Sequence, residues 1–221
     1  DGDWEVAEGA AFPEFMRSTH VVEPFEVPIG WQRMRSGDYG YASPSCILWG
    51  CIDFDGNIYI YRELYNSGYT GDVLARLILE MERNDPEMFL SVLDTSCWNK
   101  TGLGPSIAET MFRNGARWIP ADRDRVSGKV EVHRRLAMNP LTAEPRLKIF
   151  STCTNLIRTL ASIPTSKTNP EDVDTKADDH AYDALRYMIM TRQSNQPTLN
   201  TALNKIKNKV QYEPSDSVFG Y

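Results

Sequence analysis

Two apolar segments joined by a short polar turn constrain the fold of this chain more than any other feature. Residues 46–54 are mostly apolar, residues 55–57 read Asp-Gly-Asn, and residues 58–64 alternate in side-chain character. An Asp-Gly pair between two such segments is a strong signal for a β-hairpin. A further short strand is expected from Trp31 into residues 37–40, so the sheet should begin with antiparallel strands.

Helices and short strands alternate after the hairpin. The spacing of apolar residues and the stop signals predict helices over 71–83, 106–114, 130–138, 152–162 and 178–192. Short apolar strands are expected at 89–93, 116–119 and 147–150, and a polar segment at 121–129 is expected to lead into the third helix. This order predicts an α/β fold in which a mixed sheet, parallel in its later strands, is flanked by helices.

Composition excludes several classes of protein. The 221 residues suit one domain with appendages, at roughly 100–200 residues per domain, and no apolar run approaches the roughly 18 residues of a membrane span. The four cysteines form no CxxC pair, which predicts reduced, partly buried thiols. The 30 acidic and 24 basic residues leave a net charge of −6, which argues against a protein held to nucleic acid mainly by a large basic face.

Acidic residues stand where the predicted strands end and where the last helix begins. Asp38 follows the first strand, and Asp94 follows the strand at 89–93. Because ligands of open α/β sheets gather beyond the carboxyl ends of the strands, these two carboxylates are expected to face one crevice. In the helix over 178–192, Asp179 and Asp183 are four residues apart and share a face, which His180 borders.

These carboxylates have a structural interpretation as well as a chemical one. Asp38 could end a turn, Asp94 could lie in a loop, and Asp178 with Asp179 could cap the helix. Asp183 fits that interpretation least, because it lies inside the helix among apolar residues. Clustered carboxylates repel one another unless a cation balances them, and their hard oxygen ligands favour Mg²⁺ or Mn²⁺. Two such ions about 4 Å apart can activate a water and stabilise the leaving oxygen in phosphodiester cleavage.

A basic stretch at 122–135 is a candidate contact for DNA. It contains Arg123, Arg125 and Lys129, but its five basic and three acidic residues leave a net charge of just +2 (5 − 3). It is therefore either a solvated surface or a segment that meets phosphates. Lys100, close after Asp94 in the chain, is a further candidate cation.

The order and spacing of these residues resemble the nuclease domain of tailed-bacteriophage terminase large subunits. The resemblance rests on the segments Gly37-Asp38-Tyr39-Gly40, Asp94 at its strand end, and Asp179-His180 followed by Asp183. With similar segments between them and in the first 30 residues, it covers roughly residues 2–192.

The resemblance implies a ribonuclease H-like fold and a metal-dependent endonuclease. Such an enzyme cuts concatemers of double-stranded phage DNA during genome packaging, with two Mg²⁺ or Mn²⁺ ions. By position, Asp38, Asp94 and Asp183 correspond to the three metal-binding acidic residues of the family, with Asp179 or His180 as an accessory ligand or proton carrier. The third ligand stays open, in order of preference, among Asp183, Asp179, His180 and Asp178.

The resemblance also implies a division of the chain and a set of partners. Residues 1–30 would be a linker or arm from an N-terminal ATPase domain, residues 31–192 the nuclease domain, and residues 193–221 a polar tail. The expected partners are double-stranded DNA, the ATPase domain of the same polypeptide, the portal and the small terminase subunit, with no membrane. The expected location is the host cytoplasm, transiently at the procapsid portal. Two alternatives remain: another ribonuclease H-like DNA enzyme, such as a junction resolvase or transposase, and a non-catalytic docking module of the packaging motor.

Overall fold

A seven-stranded mixed sheet forms the centre of the fold. The computed structural model describes residues 9–100 and 102–195. The strands are β1 Val21–Val22, β2 Gln32–Asp38, β3 Ser45–Ile52, β4 Ile58–Asn66, β5 Met88–Leu93, β6 Ile119–Pro120 and β7 Leu147–Phe150. They lie in the order β1-β7-β4-β3-β2-β5-β6. The pairings of β3 with β2 and β4 are antiparallel, and the other four pairings are parallel. The predicted mixed sheet is confirmed.

Six α-helices accompany the sheet in the part of the chain that the structure describes. They are α1 Arg17–His20, α2 Gly71–Met81, α3 Ile107–Arg113, α4 Arg125–Leu136, α5 Thr154–Ser162 and α6 His180–Asn195. A short 3₁₀ turn, Thr95–Trp98, follows β5. The helices predicted at 71–83, 106–114 and 152–162 are confirmed, with ends that agree to within two residues.

The predicted hairpin is confirmed as β3 and β4. Its turn is held by Asp53, whose carboxylate accepts hydrogen bonds from the backbone amides of Asp55 and Asn57 at 2.9 and 2.8 Å. All eight residues of β3 are buried, because helices cover both faces of the sheet. Trp49 donates to Glu82 after α2 on one face, while the next residue, a glycine, lies against α6 on the other.

Two helices begin at residues other than those predicted. The predicted start of α4 at residue 130 is wrong: the helix begins at Arg125, where the carboxylate of Asp124 caps its first turn. The helix predicted from residue 178 begins at His180. The amide of Asp183 donates to the carbonyl of Asp179 at 2.8 Å, so Asp179 stands immediately before the helix.

The buried strand predicted at 116–119 is wrong. Strand β6 covers two exposed residues, Ile119–Pro120, at the edge of the sheet. The amide of Ala116 forms a hydrogen bond that ends α3: it donates to the carbonyl of Met111 at 3.0 Å. The preceding residue, Gly115, has a φ of +94°, which turns the chain out of the helix. Pairing with β5 therefore begins three residues later than the apolar pattern indicates.

The first described residues pack on the rest of the chain. Phe12 and Phe15 are fully buried, and β1 pairs with β7. The assignment of residues 1–30 as a linker or arm from an N-terminal ATPase domain stays a prediction, and residues 196–221 of the polar tail lie outside the described residues. All four cysteines are free, as predicted, and all four are buried. Within the described ranges, no helix has both the length and the apolar character of a membrane span.

Candidate active site

Asp38 and Asp94 lie side by side at the carboxyl edge of the sheet. Strands β2 and β5 are parallel neighbours, with Gly37 opposite Leu93, and the amide of Asp94 donates to the carbonyl of Gly37 at 3.0 Å. A Cβ at position 37 would come within 2.7 Å of Cδ1 of Ile47 and 2.9 Å of Cδ1 of Leu93, so these methyl groups would have to shift to make room for it. The parallel pairing of β2 with β5 therefore brings the two carboxylates to one place.

Helix α6 carries the other acidic candidates to this edge. It packs on β2, β3 and β5, and the small side chains of Ala181 and Ala184 are fully buried. His180, at its first turn, places Nδ1 at 2.8 Å from Oδ2 of Asp38. One turn beyond Asp183, the hydroxyl of Tyr187 donates to Oδ1 of Asp94 at 3.5 Å. The helix thus touches both strand-end carboxylates.

Two arginines engage Asp183. Nη1 of Arg125 donates to both carboxylate oxygens of Asp183 at 3.0 and 2.9 Å, and Nε of Arg186 donates to the first of them at 3.1 Å. Arg125 also pairs with Asp179 at 3.4 Å and with Asp172 at 2.8 Å. Guanidinium groups therefore balance the charge that these carboxylates would otherwise accumulate.

Burial and neighbouring charges set the protonation of the cluster. Burial raises the pKa of Asp38, the charges of Asp183 and Asp94 raise it further, and the hydrogen bond with His180 opposes them. Burial, followed by the charge of Asp183, raises the pKa of Asp179 to about 6, although Arg125 acts in the other direction. The hydrogen bond to Asp38 raises the pKa of His180. The carboxylates are close enough that each one disfavours the ionised form of its neighbours. A bound cation would offset this repulsion.

The donor set fits a hard divalent cation, but its geometry is not that of a formed metal site. Asp38, Asp94 and Asp183 offer carboxylate oxygens, which Mg²⁺ and Mn²⁺ prefer. Among residues 9–100 and 102–195, however, no three acidic, histidine or cysteine side chains meet at distances that would hold an ion. Both oxygens of Asp183 accept from an arginine, and the carboxylate of Asp94 accepts from the amide of Ser96 at 3.2 Å.

Asp178 lies apart from the other acidic candidates. It is exposed, accepts a hydrogen bond from the hydroxyl of Tyr65, and pairs with Arg158 at 2.7 Å. Asp179 precedes the helix instead of lying within it, but Arg125 contacts both Asp179 and Asp183.

The four basic candidates differ in their surroundings. Arg123 is exposed, and Lys100 is exposed and lies 3.4 Å from Glu109. Lys129 is buried, and its ammonium donates to the backbone carbonyls of Pro170 and Asp172 at 3.0 and 3.3 Å. This burial argues against a contact between Lys129 and a phosphate. Arg125 lies at the acidic cluster itself.

Sequence reasoning missed three residues that shape the site. Arg186 and Tyr187 lie three and four residues after Asp183, a spacing that places them beside it on a helix, and this signal could have found them. Asp172 lies in the segment at 164–177, which no periodicity connects to the helix. Its contact with Arg125 depends on the tertiary fold.

Comparison with solved structures identifies the fold. The large terminase of a thermophilic bacteriophage, in its third crystal form, superposes with a TM-score of 0.67 at 19% sequence identity, over 83% of this chain and 45% of that one. The large terminase nuclease domain of P22 gives a TM-score of 0.67 at 18% identity, over 85% of this chain and 94% of that one. The large terminase nuclease of the thermophilic phage G20c, with bound cobalt, gives 0.54 at 15% identity, over 82% and 96%.

Sequence comparison adds no family assignment, since no protein-family profile and no curated protein matches the chain. The chain spans less than half of the first of these large terminases and nearly the whole of the P22 domain. It therefore has the ribonuclease H-like α/β fold of large-terminase nuclease domains.

Proposed function

We propose that this chain is the nuclease domain of a phage terminase large subunit. It hydrolyses phosphodiester bonds of concatemeric double-stranded DNA during genome packaging. The observation that carries the proposal is the convergence of Asp38, Asp94 and the helix bearing Asp183 on one edge of a sheet, in the fold of the P22 nuclease domain. The G20c nuclease was solved with cobalt and with zinc, which supports the use of a divalent cation here.

Asp38, Asp94 and Asp183 would hold two Mg²⁺ or Mn²⁺ ions, with Asp179 as a further ligand. When bound, such ions supply an activated water and stabilise the leaving oxygen. His180 orients Asp38 through their 2.8 Å contact and stands where it can carry a proton. Tyr187 restrains Asp94 from the same helix.

The remaining proposals concern partners. Arg123 and Lys100 are the exposed cations proposed to contact DNA phosphates. The large terminase of the thermophilic bacteriophage was also solved with an ATP analogue, which supports an ATPase domain in the same polypeptide as a partner. The portal, the small terminase subunit and a location in the host cytoplasm, transiently at the procapsid, follow from the same role.

Digestion of supercoiled plasmid with Mn²⁺ or Mg²⁺ tests the proposed site. Wild type should linearise the plasmid, and Asp38→Asn should lower the rate at least about 100-fold, because the ions lose a ligand. Asp72→Asn is the matched control, since Asp72 is an exposed carboxylate paired with Arg76 on α2. Equal cutting by wild type and Asp38→Asn would refute the site, and cutting by Asp183→Asn would move the third ligand to Asp179 or His180.

A non-catalytic docking module of the packaging motor is the second candidate function. The observation that favours it is that both carboxylate oxygens of Asp183 already accept hydrogen bonds from Arg125 instead of being open to a metal ion. It predicts no cutting with any divalent cation, together with tight binding to the portal or the small terminase subunit. Calorimetry with those partners and with Mn²⁺ separates the two functions.

A further inference from the structure

Arg125, the first residue of α4, joins three carboxylates that all lie within residues 172–183. Its guanidinium contacts Asp183 at 2.9 Å, Asp172 at 2.8 Å and Asp179 at 3.4 Å. The carboxylate side chains are 11 to 14% exposed, whereas that of Arg125 is 27% exposed. The arginine therefore forms the solvent-facing cover of a largely buried acidic cluster.

The contacts of Arg125 compete with those of a metal ion. Nη1 of Arg125 donates to both oxygens of Asp183 and Nε of Arg186 donates to one of them, so the two arginines use three of the roughly four lone-pair positions of the carboxylate. A cation bound by Asp183 therefore competes with them. A divalent cation at hydrogen-bonding distance from Asp183 would also lie beside the positive guanidinium, and like charges at such a distance repel strongly.

The second arginine at Asp183, Arg186, differs from Arg125 in its number of contacts and in its exposure. Arg186 approaches one oxygen alone and is 1% exposed, so it is fixed within the protein. A cation can reach Asp183 from the solvent side once Arg125 has moved.

We propose that Arg125 is an exchangeable counter-ion of Asp183, and that a divalent cation binds at this carboxylate in exchange for the guanidinium. This inference rests on the proposed metal-dependent function. It assigns to Arg125 the role of a positioning residue, which holds Asp172, Asp179 and Asp183 together until the metal arrives.

Calorimetric titration of the full chain with Mn²⁺ tests the exchange. Arg125→Gln removes the competing charge while keeping a polar side chain, so it should bind Mn²⁺ at least about tenfold more tightly than wild type. Arg158→Gln is the matched control, because it removes the same charge from Asp178, outside the cluster. Its affinity should stay within about twofold of that of wild type.

Asp38→Asn separates failure of this inference from failure of the proposed function. If Asp38→Asn abolishes Mn²⁺ binding but Arg125→Gln binds no more tightly than wild type, the exchange is wrong and the nuclease proposal stands. If neither wild type nor Arg125→Gln binds Mn²⁺, both are wrong.

A second measurement uses wild type and does not depend on how a variant folds. Phenylglyoxal modifies accessible arginines, and tandem mass spectrometry locates the modified residues. Saturating Mn²⁺ should increase the modification rate of Arg125, while exposed Arg158 and buried Arg186 react as before. Modification of Arg125 that is unchanged by saturating Mn²⁺ would overturn the exchange.

Discussion

Replacement of Gly128 by alanine tests how tightly the helix that carries Asp183 is held. Gly128 is buried in α4, directly against Arg186 of α6. A Cβ at this position would lie 2.5 Å from Cγ and 2.6 Å from Cδ of Arg186, whereas carbon atoms in contact lie about 3.5–4.0 Å apart. About 1 Å of movement is therefore required of a side chain that is 1% exposed.

Two opposing effects set the size of the change. Alanine favours the helix over glycine by about 1 kcal/mol, while overpacking of a close-packed interior costs about 1–3 kcal/mol. Displacement of Arg186 also weakens its hydrogen bond to Asp183, and hydrogen bonds to charged groups are worth about 1.5–3 kcal/mol. The free energy of unfolding should therefore fall by about 1–3 kcal/mol, which corresponds to a Tm lower by about 3–9 °C in a chain of this size.

Urea and thermal unfolding followed by circular dichroism measure this change. Gly71→Ala is the matched control, because it makes the same substitution at the start of α2, where the nearest atoms to the new Cβ lie at 3.4 Å. The control should be neutral or more stable than wild type by up to about 1 kcal/mol. If Gly128→Ala is as stable as Gly71→Ala, the tight contact between α4 and α6 is not what holds Arg186.

Two further predictions concern protonation and DNA. In EDTA, the folded pKa of Asp179, about 6, exceeds its reference value of 3.8. Its protonated form therefore contributes stability that is complete below pH 3.8 and lost as the pH rises through about 6. Urea unfolding between about pH 4 and pH 8 should show wild type losing stability relative to Asp179→Asn, and parallel curves would contradict this. In fluorescence anisotropy with a labelled duplex, Arg123→Gln should weaken binding and lower the salt slope by about one. Lys129→Gln should leave binding unchanged but lower the Tm, because its ammonium is buried on two carbonyls; equal loss of binding in both variants would refute the distinction.

The strand-end carboxylates could be placed from sequence because local rules determine them. Asp38 and Asp94 end two strands whose apolar residues mark them clearly, and parallel pairing then brings their ends together. The start of α4 could not be placed this way. Arg125, Gly128 and Lys129 interrupt any apolar period, yet they are helical and pack against α6 and the segment around Asp172. Arg125 and Lys129 have good helix propensity and Asp124 is a suitable N-cap, so the missing apolar period, together with Gly128, is what concealed this start. Tertiary contacts determine which carboxylates Arg125 meets.

Basic residues near the acidic edge are engaged inside the protein, which limits what a chain of net charge −6 can contribute to the affinity for DNA. Near the acidic edge, Arg125 and Arg186 form ion pairs with Asp183. The ammonium of Lys129 donates hydrogen bonds to backbone carbonyls. Affinity for duplex DNA grows with the number of phosphates that lysine and arginine neutralise, so these residues add little to it. Two divalent ions would bring a charge of about +4 to the same edge. In the proposed function, a duplex would then meet these ions at the acidic edge and few other cations around it. In the proposed packaging role, the ATPase domain holds the duplex and this chain contributes the metal-dependent cut, so cleavage depends on how the DNA is presented.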